Sequence, residues 1–588
     1  MQIIHQAPLA ALGLGAAFTV VWGVADPGAA WAETQTYTGV GKCAMGDLVT
    51  TAQAKNYARE KALQNAKEQA GVYISTYSRT TNAKLAANEI TAITNTITEV
   101  VGEVKYTQQP GEIYGEPVIL HTATLTAKVD TDGIQKWLKQ SDSEKASMIS
   151  QSEKNDREAR ESLEKIENLS RDYSKAGSEQ EKEKIRSEFD EADRKLRLVQ
   201  MNREALELEY KGDHAGAIQI LRQVTKLDPD AATPWNNLGG VYRNSGDYPQ
   251  AIKCLEKGIS LDPDDWHGYV HLSWTYFEQK DWAGVAKYTE LALKHGAKNI
   301  DSYGNILGYA YIQLEQPEKA ISCLKQAVSY NSNLPAAWGN LVEAYLLAED
   351  TPSAVKAGEQ GVRHCPDSVE LWERLSLAYY RANDDANLIK AATKAIALGS
   401  EESLIWSTLS RGYRHLKNYD EARKAAEKAT SLDPASAEAW FSLGGVYYDQ
   451  GEYLPAIEYY EKAASLNPKL KRTWCNMGAS YAYTGNPDKG IECLLKAVAL
   501  DPEYQTAWNN LGATSNIRGD YEKAVEYCKK AIALDPASPN AYRHLGVAYY
   551  HLGRYEEALA ELNKALELKP GYTAAKEDRE KVLQAMGR

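Results

Sequence analysis

At 588 residues with a net charge of −13, the chain has room for several domains and is too acidic for a nucleic-acid binder, which needs a basic surface to release counterions. Its seven cysteines form no CxxC pair, and Cys254, Cys323 and Cys493 share one place in a repeated pattern, so they read as small core residues and not as a disulfide framework. The first element is Met1–Ala32. An apolar run over Ala10–Ala25 is broken by Asp26-Pro27-Gly28, and Ala30 and Ala32 give a small-x-small cleavage pattern before Glu33. The run is shorter than the ~20 residues that span a bilayer, and its front lacks Lys or Arg. It reads as an export signal, with a mature protein in the periplasm, the wider cell envelope or outside the cell.

Residues 36–139 read as a small α+β domain. Thr36–Cys43 alternates like a strand. Leu48–Ala70 is helical, with Ala58, Ala62, Ala66 and Ala70 in an i, i+4 ridge that lets a helix lie close on a sheet. Gly71 is expected to end that helix and Val72 to start a strand. Val100–Thr107 and Pro117–Val129 read as two strands joined by a turn at Pro110-Gly111 and Gly115, and Ile134–Lys139 as a short closing helix. The Ala ridge followed by Gln69-Ala70-Gly71-Val72 is similar to small helix-plus-sheet modules that open some bacterial envelope and flagellar-assembly proteins. That resemblance implies an envelope role and no catalytic residue.

Residues 141–197 are dense in charge and contain no Pro. Ala159, Leu163 and Ile166, then Ile185, Phe189, Ala192, Leu196 and Val199, recur at helical spacing, with Ala176-Gly177-Ser178 between them. The expectation is a helical hairpin serving as a spacer, or a coiled-coil arm through which two chains meet.

From Leu198 to Pro570 the chain repeats. Trp338, Trp372, Trp406, Trp440, Trp474 and Trp508 are 34 residues apart. In one unit Trp440, Leu443, Gly444 and Tyr447 fall on a first helix, and Ala456, Tyr460 and Ala463 on a second. Gly451 makes the turn between them and Pro468 closes the unit. The same register gives ten units starting at Ala232, Trp266, Asp301, Pro335, Val369, Ser403, Ala437, Lys471, Gln505 and Pro539, after a degenerate one with Ala205, Ala217 and Leu221. The pattern resembles the tetratricopeptide repeat family. It departs from it at Ser273, Val285, Ala297, Leu388, Ser400 and Ser515, and by one extra residue before Asp301. The implied fold is mainly α: a right-handed superhelical solenoid of about eleven hairpins, with residues 571–588 as a capping helix.

In that family the first helices line a concave groove. The resemblance places Asn237, Asn340, Asn476 and Asn510 there, with His271 and His544 at the equivalent position, and Tyr448 at a neighbouring one. A row of amides could bond the backbone of an extended peptide. Arg374, Arg381, Arg411 and Arg414, with Tyr380 beside them, form a local basic cluster suited to a carboxylate, unless Glu370 and Glu373 neutralise it. Arg543, His544 and Tyr550 form a second polar-aromatic patch. His267 and His271 are four residues apart, but neither HExxH nor a nearby Cys supports a metal. No GxSxG, Walker or phosphate-cradling motif is present, and the α+β domain offers only His121. The reading is a non-enzymatic, cofactor-free scaffold binding extended or acidic segments of partner proteins. Its rivals are a self-assembling envelope protein with an empty groove and an enzyme hidden in residues 36–139.

Overall fold

A computed structural model describes residues 34–45, 48–80, 90, 94, 98–113, 116–130, 142–298 and 300–587. The export-signal segment and the expected helix Ile134–Lys139 lie outside them. The chain divides into two compact units, Met1–Gln250 and Ala251–Arg588.

The first unit opens with a three-stranded antiparallel sheet, β1 (Thr34–Met45), β2 (Glu99–Ile113) and β3 (Glu116–Asp130), in the order β1-β3-β2. Helix α1 (Thr51–Thr80) lies on one face of it. Ala58, Ala62 and Ala66 meet Ala123, Leu125 and Ala127. The approach is as close as a backbone allows: a Cβ on Gly39 would sit 1.9 Å from the Ala62 carbonyl oxygen, and one on Gly41 2.1 Å from that of Ala58. The Ala ridge and two strand glycines therefore form one interlock.

Two expectations are corrected here. Helix α1 does not stop at Gly71; it continues to Thr80, and Ala70 and Ile74 extend its buried ridge, so no strand starts at Val72. Packing of that ridge outweighs the ~1 kcal/mol that a mid-helix Gly costs. Pro110-Gly111 is not the turn but part of β2, paired with Ile119 and Val118. β2 is an edge strand, where a residue without an N–H is tolerated.

The charged segment folds as α2 (Asp142–Lys175) and α3 (Glu179–Tyr210), closed by a Ser178 N-cap that accepts from the Glu181 N–H. It is the expected hairpin but not a bare spacer. Its apolar stripe, Ala159, Leu163, Ile166, Phe189, Ala192 and Leu196, is covered by Val49, Ala54 and Tyr57 of the sheet module. The α+β domain and the arm are thus one packed body. The sequence hid this because the joint is largely polar. Tyr57 donates to Asp193 (2.6 Å), Arg203 pairs with Glu60 (2.5 Å) and Asp156 (3.5 Å), and Lys61 pairs with Glu167. Glu60 is only 1% exposed.

Helices α4 (His214–Leu227) and α5 (Ala232–Asn244) begin the repeats, with Ala205, Ala217 and Leu221 buried as the degenerate unit requires. Helix α6 spans Tyr248–Leu261. In the second unit the pairs are α7/α8 (Trp266–Glu278, Trp282–Lys294), α9/α10 (Ile300–Gln313, Pro317–Tyr330), α11/α12 (Pro335–Leu347, Thr351–His364) and α13/α14 (Val369–Ala382, Asp385–Ala397). They continue as α15/α16 (Ser403–His415, Tyr419–Leu432), α17/α18 (Ala437–Asp449, Tyr453–Leu466) and α19/α20 (Lys471–Tyr483, Pro487–Leu500). The last are α21/α22 (Gln505–Arg518, Tyr521–Leu534) and α23/α24 (Pro539–His551, Tyr555–Leu568), capped by α25 (Thr573–Ala585) through Ala575 and Val582.

Two devices recur among the pairs. A small residue on the first helix lets the second approach: a Cβ on Gly546 would lie 2.7 Å from Leu562 Cγ. The repeated Trp then ties its helix to the loop before it. The indole N–H of Trp372, Trp440, Trp474 and Trp508 donates to the carbonyl of the Pro six residues back at 2.8–2.9 Å. Trp406 is the exception. Ser400 stands where the closing Pro would be, Gly399 turns at φ +106°, and the buried Trp406 N–H has no partner among the described residues.

Candidate partner-binding face

From Ile300 onward each first helix contacts the next first helix, so these helices share one inner layer. Most polar side chains of that layer are tied to the neighbouring repeat. Arg374 meets Glu343 (2.7 Å), Arg414 meets Asp449 (2.8 Å), Arg472 meets Glu438 (2.9 Å) and Arg543 meets Asp578 (2.8 Å). Asn340 donates to Asn305 (2.8 Å), Asn510 to the Cys475 sulfur (3.4 Å) and Asn476 to the Tyr460 hydroxyl (3.3 Å). Within the first unit Asn237 donates to Asn202 (2.8 Å). Partners one repeat apart and one residue displaced recur because adjacent parallel helices bring those positions together.

The expected amide row is therefore divided. Asn237 and Asn340 are 3% and 8% exposed and bond to other asparagines, so they do not present free amides to a ligand. Asn476 and Asn510 are half-buried. His271 is half-buried on α7. His544 is half-buried on α23, and burial, then the neighbouring Arg543, push its imidazole down to about 4, which keeps it neutral. Tyr550 touches His551 edge-on at 5.1 Å. Tyr448 is half-buried edge-on to Tyr453, and burial raises its hydroxyl far above the usual tyrosine range.

The basic cluster also divides. Arg374 and Arg414 are neutralised, though mainly by Glu343 and Asp449 of adjacent repeats; Glu370 is 4.0 Å from Arg374, and Glu373 accepts from Ser400. Arg411 is different. Its guanidinium stacks 3.8 Å over the Tyr380 ring and donates to the Asn383 side-chain oxygen at 3.1 Å, and it holds no carboxylate among the described residues. Arg381 is exposed and holds none either. The ring and the amide fix one face of the Arg411 fork, and the rest stays available for a carboxylate.

Sequence reasoning missed Gly445. A Cβ there would lie 2.2 Å from Arg414 Nη1, so this glycine makes room for the Arg414–Asp449 bridge. The Gly444-Gly445 pair was the available signal. It also missed the aromatic group Trp274, Phe277, Trp282 and Tyr309 on α7 to α9. His267 is paired with Asp265 and stacked on Trp266. Among the described residues no group of three His, Cys, Asp or Glu could hold a metal, and no helix is long and apolar enough to cross a membrane.

Family models agree with the helix-pair geometry. Residues 232–265 and 302–334 match the tetratricopeptide repeat, and residues 390–586 match the Cilia and flagella-associated protein 70 C-terminal domain. The helical array belongs to the tetratricopeptide repeat family. No curated protein matches the chain significantly. Similar solved structures include the APC/C hetero-tetramer Cut9-Hcn1 (16% identity, 66% of this chain and 91% of that one, TM-score 0.38). Others are yeast Tom70 (14%, 66% and 94%, TM-score 0.33) and the MamA protein (29%, 29% and 95%, TM-score 0.26). At these scores no site or partner is transferred from them. Tetratricopeptide repeats are a protein-interaction fold, and this chain is a scaffold of that type.

Proposed function

We propose that the chain is an exported, non-catalytic scaffold of the cell envelope whose first-helix layer binds an extended, acidic segment of a partner protein. One observation carries the binding half of this reading. In a layer where Arg374, Arg414, Arg472, Arg518 and Arg543 each meet a carboxylate, Arg411 is held on Tyr380 without one, beside the exposed Arg381. A guanidinium immobilised by stacking has already lost rotamer freedom, so a ligand carboxylate gains its hydrogen bonds at low further entropic cost. Export is supported by the apolar run and Ala-x-Ala pattern of residues 1–32.

The test uses the full chain and a fluorescein-labelled alternating Glu-Gly peptide, followed by anisotropy. Arg411→Glu should weaken binding about tenfold or more, the loss of one charge-assisted contact, and Arg374→Ala should weaken it less. Equal binding by wild type and Arg411→Glu would remove the reading. For location, the N-terminal residue of the protein recovered from its native cells should be Glu33; recovery of the intact N-terminus in a cytoplasmic fraction would remove that half.

A further inference from the structure

Trp274 and Phe277 on α7, Trp282 at the start of α8 and Tyr309 on α9 make one aromatic box, in which Phe277, Trp282 and Tyr309 touch one another and Trp274 touches Phe277. Centroids are 5.4 Å apart for Trp274–Phe277, 5.4 Å for Phe277–Trp282 and 5.5 Å for Trp282–Tyr309, all edge-to-face, with Phe277–Tyr309 at 6.2 Å. All four side chains are half-buried. Tyr309 lies on α9, where the first-helix layer begins, so through its contacts with Phe277 and Trp282 the box borders the layer assigned to ligand. Each edge-to-face contact covers one face of one ring, and because all four side chains stay half-exposed, part of their electron-rich surface remains open to a cation.

Elsewhere in this unit the chain covers such faces itself. Lys462 lies 3.6 Å over Trp440, Lys496 4.7 Å over Trp474 and Lys530 4.4 Å over Trp508. Among the described residues no Lys or Arg lies over Trp274, Phe277, Trp282 or Tyr309. The nearest charge in sequence is of the opposite sign. Glu278, one turn after Trp274 and next to Phe277, is exposed and holds no ion pair among the described residues. An uncovered aromatic box with an unpaired carboxylate at its rim is complementary to a positive group and not to a neutral or acidic one.

We propose that Trp274, Phe277, Trp282 and Tyr309, with Glu278, receive a lysine or arginine side chain of the bound polypeptide. This rests on the reading of the first-helix layer as the ligand face. It adds to it that the segment is charge-segregated, with a basic residue for the box and acidic residues for Arg411 and Arg381.

The test is fluorine NMR of the full chain carrying fluorotryptophan, with the Trp274 and Trp282 resonances assigned through Trp274→Phe and Trp282→Phe. Tetramethylammonium chloride should shift these two resonances, and sodium chloride at equal ionic strength should not. Trp440, Trp474 and Trp508, already covered by lysines, should stay in place. Glu278→Lys, a change at an exposed position that leaves the core untouched, should weaken the response about tenfold. Equal shifts with tert-butanol, a neutral molecule of similar size, would overturn the proposal, as would an undiminished response in Glu278→Lys. The Glu-Gly peptide separates the two readings. Peptide binding with no tetramethylammonium response removes the box alone; a response without peptide binding leaves the box and removes the acidic-segment reading.

Discussion

The two units solve the same problem, joining helices, with opposite chemistry. In the repeats the helix-pair joints are mainly apolar and periodic: Gly, Ala and Leu at fixed positions, with the indole N–H of Trp372, Trp440, Trp474 and Trp508 tied to the loop before it. In the first unit, α1 meets the hairpin through one joint that adds buried charge to an apolar patch, with Tyr57, Glu60, Lys67, Asp156, Asp193 and Arg203 as its polar members. A repeated joint is redundant, because each copy repeats the last. A unique joint of buried charge is unforgiving, because removing one member strands the others.

The comparison is broken most strongly by Glu60→Ala. It leaves Arg203 buried with the more distant Asp156 and Glu207, and should destabilise the first unit by about 3–5 kcal/mol, read as an early transition in urea. Adding Arg203→Met should recover part of that loss. Next comes the repeat side. Gly546→Val forces a side chain against Leu562 and should cost about 1–3 kcal/mol, confined to the C-terminal repeats in hydrogen exchange.

Smaller is the pH effect. Burial holds the Lys67 ammonium down at about 8, below its ordinary 10.5. The unfolded chain then binds more protons than the folded one above pH 8, so stability of the first unit should rise between pH 8 and 9, by about 1 kcal/mol. Lys67→Met should abolish that rise. Above pH 9 the rise levels off, because burial raises the Cys43 thiol to about 11 and the unfolded thiol loses its proton first, which offsets the lysine's contribution. The smallest effect sharpens the repeat side. Trp474→Phe loses the bond to the Pro468 carbonyl and should cost about 1 kcal/mol beyond the packing loss common to both sites, whereas Trp406→Phe loses no bond and should cost less.

The repeats were legible because a period of 34 writes the same two helices many times, and each Gly, Trp and Pro falls where one contact needs it. The body formed by α1 and the hairpin was not. Glu60, Asp193 and Arg203 look like solvated charges in a dense run, and only tertiary proximity makes them partners across more than a hundred positions. Gly71 and Pro110-Gly111 were misread for a related reason: local breaker signals were outweighed by the ridge packing of α1 and by the edge position of β2. At the candidate site the residue types were visible in the sequence, but which arginines are neutralised was not. The Arg414–Asp449 and Arg374–Glu343 bridges depend on how one repeat is displaced along the next.

The bare indole of Trp406 has a mechanical consequence. Pulled from its two ends, the array should yield more readily at the seam of Ser400 and Gly399 than at those of Trp372, Trp440, Trp474 and Trp508, since the indole anchor to the preceding loop is missing there. That seam also separates Arg374 and Arg381 from Arg411 and Arg414. A tug on the scaffold would therefore part these two pairs of arginines before any hairpin came undone, much as a fuse opens ahead of the circuit it guards.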